Sequence, residues 1–327
     1  MEAIAFLLQK SSTFADLNTP CLNFSCYEYE CPKVKGYVCA LVSAVTYGLI
    51  PLFILPLKAM HFSMDVTLFY RFFISAGIML MLLRYKKEHL KSTAKEIGIF
   101  LVLGILFSLS SDSLFLAYDY LSAGIASTIL FVFPVMVAII LAVFFKEKIS
   151  TVMLLSMAIT LAGVYLLSGA SAAGVNFAGL SLALGSALAY ALYIVMVNKS
   201  NLKASGVKIT FYSLLFSALY YLIKSLVAKE SLAIPDLAIL LHISLFGLIT
   251  SVISITTLVY AIGYIGSTPT AILGALEPVV AVTISVTLFG EKLTYALLIG
   301  GVLILAGVLV SIVFSKHEEA PDELPAL

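Results

Sequence analysis

Tryptophan is absent from the sequence, histidine and cysteine occur four times each, and Asp, Glu, Lys and Arg together make up only 11% of its 327 residues. A soluble chain keeps about a quarter of its residues charged, so there is too little charge here to clothe a water-facing surface. Without tryptophan, any aromatic belt at a membrane interface must come from the 17 tyrosines. Three cysteines, Cys21, Cys26 and Cys31, follow a C-x4-C-x4-C spacing with no histidine nearby, which matches no zinc-binding arrangement. No glycine-rich loop precedes a helix as a nucleotide-phosphate cradle would, and no His/Cys/carboxylate cluster has metal-ligand spacing. No nucleophile stands beside a base. The sequence therefore gives no catalytic residue, no metal and no cofactor. The basic residues from Arg84 to Lys95 are a membrane-orientation signal and not a nucleic-acid patch.

What the chain has instead is apolar length. Hydrophobic residues are 61% of the total, and the mean hydropathy is +1.10. Windows long enough to cross a bilayer follow one another at 36–57, 65–84, 97–119, 122–145, 150–169, 177–198, 207–227, 236–262, 267–289 and 294–315. They predict an all-α membrane protein of ten transmembrane helices. Residues 1–35 read as a polar N-terminal tail and 316–327 as a disordered C-terminal tail, with 170–176 linking two halves. Counted over alternate gaps, 14 Lys and Arg fall on one side and 4 on the other, with Arg71 inside a window. The positive-inside rule then puts both termini in the cytoplasm.

The chain also repeats itself. FVFPVMVAIILAVFFKEKISTVMLLSMAITLAGVYLLS, Phe131–Ser168, aligns with GALEPVVAVTISVTLFGEKLTYALLIGGVLILAGVLVSI from Gly274 at an offset of 144. Pro134 meets Pro278, Glu147-Lys148 meets Glu291-Lys292, and Leu161–Val164 meets Leu305–Val308. Earlier in the halves the offset slips. Ser43 and Tyr47 meet Ser186 and Tyr190 at 143, and Phe69-Tyr70 meets Phe211-Tyr212 at 142. Each half, 36–169 and 177–315, holds five windows. Five is odd, so the second half enters the membrane inverted, the arrangement of carriers that rock two halves about a central site.

The E-P pair of LGALEPVV, the F-G-E turn and the closing L-A-G-V resemble the EamA family of the drug/metabolite transporter superfamily. The resemblance extends over residues 36–315, and the first half carries a weaker copy, with Phe133-Pro134 for E-P and Phe145-Lys146-Glu147 for F-G-E. It implies a cofactor-free, multi-pass carrier of a small organic metabolite in a cytoplasmic (inner) membrane. An amino acid or related compound is the first expectation, with export by alternating access around a midplane cavity. Sugar-phosphate and nucleotide-sugar carriers are more distant relatives and give the alternative cargo. A membrane-embedded enzyme should cluster carboxylates or histidines at one interface, whereas here they are scattered. A channel would carry ion current far above carrier turnover. Proton coupling and a homodimer remain open.

Polar residues inside apolar windows mark the candidate site. Glu277 lies near the middle of window nine, where a charge costs about 2.5–3.5 kcal/mol on insertion scales. It either faces the cargo, as an amine partner or proton carrier, or bonds to the helices around it. Pro278 and Pro134 each remove a helix donor and are expected to distort mirrored helices. Arg71 and Asp112 lie at comparable depth, roughly 10 Å inside, and are expected either to pair or to grip an anionic cargo group. Ser213 stands where the repeat would put a second Arg71. Tyr47 and Tyr190 are repeat-related and suit a cavity wall or helix packing. His242 suits a core position or a proton relay. Gly163 and Gly307 are expected to let helices approach closely.

Overall fold

The computed structural model describes residues 24–121, 123–146, 151–168, 177–200, 202, 204–233, 236–289 and 295–314, and these form helices without a strand among them. With no water to satisfy backbone groups, an apolar window must make its hydrogen bonds internally, and helix is the way a single segment does so. In chain order the elements are α1 (Phe24–Gly48), α2 (Ile50–Ala59), α3 (Met64–Tyr85), α4 (Ala94–Ala117), α5 (Ala123–Leu130), α6 (Phe133–Phe145) and α7 (Thr151–Ser168). Then follow α8 (Phe177–Lys199), α9 (Gly206–Val227), α10 (Leu237–Gly247), a π-helix (Leu248–Ile253), α11 (Ser254–Ile265), α12 (Ser267–Leu273), α13 (Leu276–Phe289) and α14 (Tyr295–Phe314).

Among the described residues, seven helical stretches are long and apolar enough to cross a membrane: Lys33–Ala59, Met64–Tyr85, Ala94–Ala117, Phe177–Lys199, Gly206–Val227, Leu237–Ile265 and Ser267–Phe289. Windows four, five and ten contain shorter apolar helices, Phe133–Phe145, Thr151–Gly163 and Leu298–Gly307. Large apolar side chains such as Met81, Phe144 and Val302 point outward, as a lipid-facing surface requires.

The first helix begins at Phe24, well before the expected start at 36. Elongating a helix already nucleated by the apolar stretch costs little even through polar residues. Cys21, the two Glu-Lys turns and the C-terminal tail lie outside the described residues. Serine and threonine start the helices where a hydroxyl can replace a missing carbonyl partner. Ser63 Oγ accepts from the Val66 amide and Ser205 Oγ from the Lys208 amide, while Thr93 and Glu96 form a reciprocal capping box on α4.

The packing exchanges the two halves. α1 lies against α11 and α8 against α4; α13 lies against α1 and α6 against α8; α3 pairs with α9 and α7 with α14. Individual bonds repeat in the same way. Ser43 Oγ meets Ser254 Oγ at 3.3 Å, and Ser110 Oγ meets Ser186 Oγ at 3.2 Å. Tyr70 Oη donates to the Leu232 carbonyl and Tyr212 Oη to the Leu90 carbonyl. The cap serines follow suit, Ser63 donating to Glu230 and Ser205 to Glu88. Each half thus completes the other's helix ends, and neither buries its faces alone.

Close approach carries this packing. A Cβ on Gly104 would meet Phe216 Cβ at 2.5 Å and the Ser213 carbonyl at 3.0 Å; on the related Gly247 it would meet the Arg71 carbonyl and Ser75 Oγ, each at 2.8 Å. On Gly307 it would meet Thr160 Oγ1 at 2.3 Å, the close helix contact expected there. Gly104→Ala is therefore expected to destabilise the protein by about 1–3 kcal/mol, the usual cost of overpacking. Thermal unfolding in detergent measures it, and an unchanged midpoint would show that α4 and α9 can separate freely.

Candidate functional site

Windows four and nine do not run through the protein as single helices. Each breaks just before its proline: α5 gives way to α6 at 131–132, and α12 to α13 at 274–275. Proline lacks an amide hydrogen and crowds the preceding turn, so both breaks sit where Pro134 and Pro278 would put them. Phe133 and Glu277, each just before its proline, are repeat-related at an offset of 144.

These two residues meet different surroundings. Glu277 is buried, 4% exposed, and lines a small cavity with Tyr47, Tyr118, Ser127, Leu114 and Phe131. Its amide donates to the Gly274 carbonyl at 2.9 Å. Its carboxyl group has no hydrogen-bond or ion-pair partner among the described residues. Tyr118 Oη and Ser127 Oγ lie 3.0 Å apart on the opposite wall. On the other side of the repeat axis Phe133 packs edge-on against Tyr190, with centroids 4.8 Å apart. Tyr47 and Tyr190 stack on each other across the axis, 5.9 Å apart and 5° from parallel.

Arg71 and Asp112 do not pair. Asp112, on the α4 face toward α9, forms an ion pair with Lys224, which also bonds Asp65 at 2.9 Å, and Tyr220 Oη lies 3.4 Å from Asp112. Arg71 faces α10 and the π-helix. Its Nε donates to Ser251 Oγ at 2.8 Å and its Nη2 to the Thr250 carbonyl at 3.3 Å. Its guanidinium carbon lies 4.2 Å from the Phe246 ring centre and 5.0 Å from that of Phe72. The side chain is fully buried, and Nη1 has no hydrogen-bond partner among the described residues. Adjacent windows led the sequence reading to join the two charges; each helix instead turns its polar residue toward the other half.

The π-helix has a sequence origin. Gly104 and Gly247 correspond at an offset of 143, Ser110 and Ser254 at 144. The extra residue falls between them, where Leu248–Ile253 adopts the π conformation. A single insertion into a helix is accommodated by such a turn and releases carbonyls from the regular ladder. Thr250 and Ser251, which hold Arg71, lie in it, whereas the equivalent stretch of α4 is unbroken.

His242 Nε2 is 2.8 Å from the Phe53 carbonyl, with its ring edge-on to Phe53. It ties α10 to α2 and does not line the cavity. Tyr118, Ser127, Lys224, Asp65 and the π-helix escaped the sequence reading. The slip in repeat offset was the one available signal for the π-helix; for the others, polar residues near helix ends carry no distinguishing pattern.

Helices in two exchanging sets, broken around a buried carboxylate, make an all-helical fold of the membrane-protein kind. The comparisons agree. The EamA-like transporter family matches residues 34–169 and again 177–313, and the chain belongs to that family. It is 30% identical over 213 residues to an uncharacterized transporter of Archaeoglobus fulgidus, covering 64% of this chain and 74% of the relative. It is 26% identical over 252 residues to the uncharacterized transporter YvbV of Bacillus subtilis, covering 75% and 81%. A solved crystal structure of 17% identity shares the fold, with a TM-score of 0.72 over 88% of this chain and 99% of that one.

Proposed function

We propose that the chain is a secondary transporter that exports a small organic metabolite, an amino acid or related compound, across the cytoplasmic membrane by alternating access. In this reading it crosses the membrane ten times, as two inverted five-helix halves with both termini in the cytoplasm. The observation that carries it is the Glu277 cavity, set between the halves where two mirrored helices break. Glu277 takes a cationic group of the cargo, and Tyr47 and Tyr190 form the floor. Arg71, with one guanidinium nitrogen unpartnered, takes an anionic group. Asp112 and His242 have partners of their own and hold the helices around the cavity. Pro134 and Pro278 keep the breaks.

Counterflow in proteoliposomes tests the proposal, with radiolabelled amino acids, amines and sugar phosphates as separate cargoes. Uptake of an amino acid is expected. Glu277→Gln should reduce it by on the order of tenfold or more, the loss of one charge-assisted contact, and Glu277→Asp should reduce it less. An internal pH dye in the same vesicles reads proton coupling. Absence of counterflow for every cargo would defeat the transport reading. Equal loss in both variants would return Glu277 to a structural role.

A further inference from the structure

The repeat gives the cavity a counterpart, and the counterpart is chemically different. Tyr118, Ser127 and Glu277 supply the polar groups of the open cavity. At an offset of 144 they correspond to Ile262, Ala271 and Phe133. All three counterparts are buried, at 4%, 1% and 1% exposure, and Phe133 is wedged against Tyr190. Polar side chains on one side of the repeat thus have apolar counterparts on the other. Inverted repeats exchange conformations when a carrier turns over, so the second state opens the counterpart space and closes the first.

We propose that the two vestibules of this carrier are unequal in kind: the one lined by Tyr118, Ser127 and Glu277 offers polar groups to charged cargo, and the one that replaces it, lined by Ile262, Ala271 and Phe133, offers none. The repeat-related Tyr47 and Tyr190 face the cargo from both sides, whereas Glu277 grips it from one. Tyr118 and Ser127 add contacts from one side alone. This rests on the alternating-access reading above. It adds that half-saturation differs between the faces, because a charged group in the apolar vestibule loses water without regaining a partner.

Cysteine reactivity tests this on the full chain without knowing the cargo. Cys21, Cys26, Cys31 and Cys39 are first replaced by serine; Ser127→Cys and Ala271→Cys are then introduced separately. The purified protein is treated with a cationic and a neutral alkyl methanethiosulfonate of matched size. The ratio of cationic to neutral labelling rates is expected to be on the order of tenfold higher at position 127 than at 271, since an apolar space excludes charge. Adding Ile262→Tyr to the Ala271→Cys protein should raise its ratio. Should either cysteine variant fail to fold, Tyr118→Cys and Ile262→Cys replace the pair with the same expectation. Equal ratios at the two positions would overturn the inequality while leaving transport intact. No labelling at 271 by either reagent would show that the second state does not form, overturning the alternating-access reading and this inference with it.

Discussion

Lys224→Met is expected to lower stability by about 2 kcal/mol, read as a shift in chemical or thermal unfolding in detergent. Lys224 is shared by Asp65 and Asp112, whose side chains are only 17% and 16% exposed. Removing a cation that two carboxylates share leaves both uncompensated, which costs about 3–5 kcal/mol at a fully buried site. Lys224 is itself 33% exposed, so water recovers part of that. Adding Asp65→Asn and Asp112→Asn should restore most of the loss, since the penalty lies in the orphaned charges more than in the missing bonds. The ion pair joins α9 to α3 and α4, and so one half to the other. A mutant cycle in which the three changes simply add would show that the groups act independently.

Arg71→Met is expected to do the opposite: to leave folding nearly intact and abolish transport. The guanidinium is fully buried without a carboxylate in contact among the described residues, held by a serine hydroxyl, a carbonyl and two aromatic faces. Replacing such a buried ion by an apolar side chain of similar length is often neutral for stability. If Nη1 receives the anionic end of the cargo, losing that charge-assisted bond should lower counterflow by about 30–100-fold, equivalent to about 2–3 kcal/mol. Arg71→Lys should not rescue it, because an ammonium cannot reproduce the planar fork that reaches Ser251, Thr250 and a ligand together. Full counterflow by Arg71→Met protein would remove Arg71 from the site, and severe misfolding would make it a structural ion.

The sequence announced the helices, because a hydrocarbon environment leaves little choice of backbone structure. It also announced the repeat, and through it the equivalence of Tyr47 and Tyr190, though not that the two rings stack on each other. The prolines marked both helix breaks, since a missing amide hydrogen acts locally. Charge partners were another matter. Arg71 and Asp112 were joined by proximity along the chain, yet Lys224 reaches Asp112 from 112 residues away and Ser251 reaches Arg71 from 180 away. A side chain's partner depends on which way its helix is rotated in the bundle, and helices apolar on nearly every side give little sign of that. Glu277 was found by its cost in an apolar window, but the cavity beside it needed Tyr118 and Ser127 from other helices.

The π-helix and Arg71 also fix the history that the chain can no longer retrace. Two copies of the first half, assembled as a dimer, would bury two guanidiniums and offer neither a π-helix. Two copies of the second half would present two such turns and no arginine, since Ser213 stands in its place. An ancestral gene for a half-length subunit could once have served both positions. With one inserted residue in one half and one arginine in the other, the halves are complementary parts, and a single polypeptide delivers them in equal number.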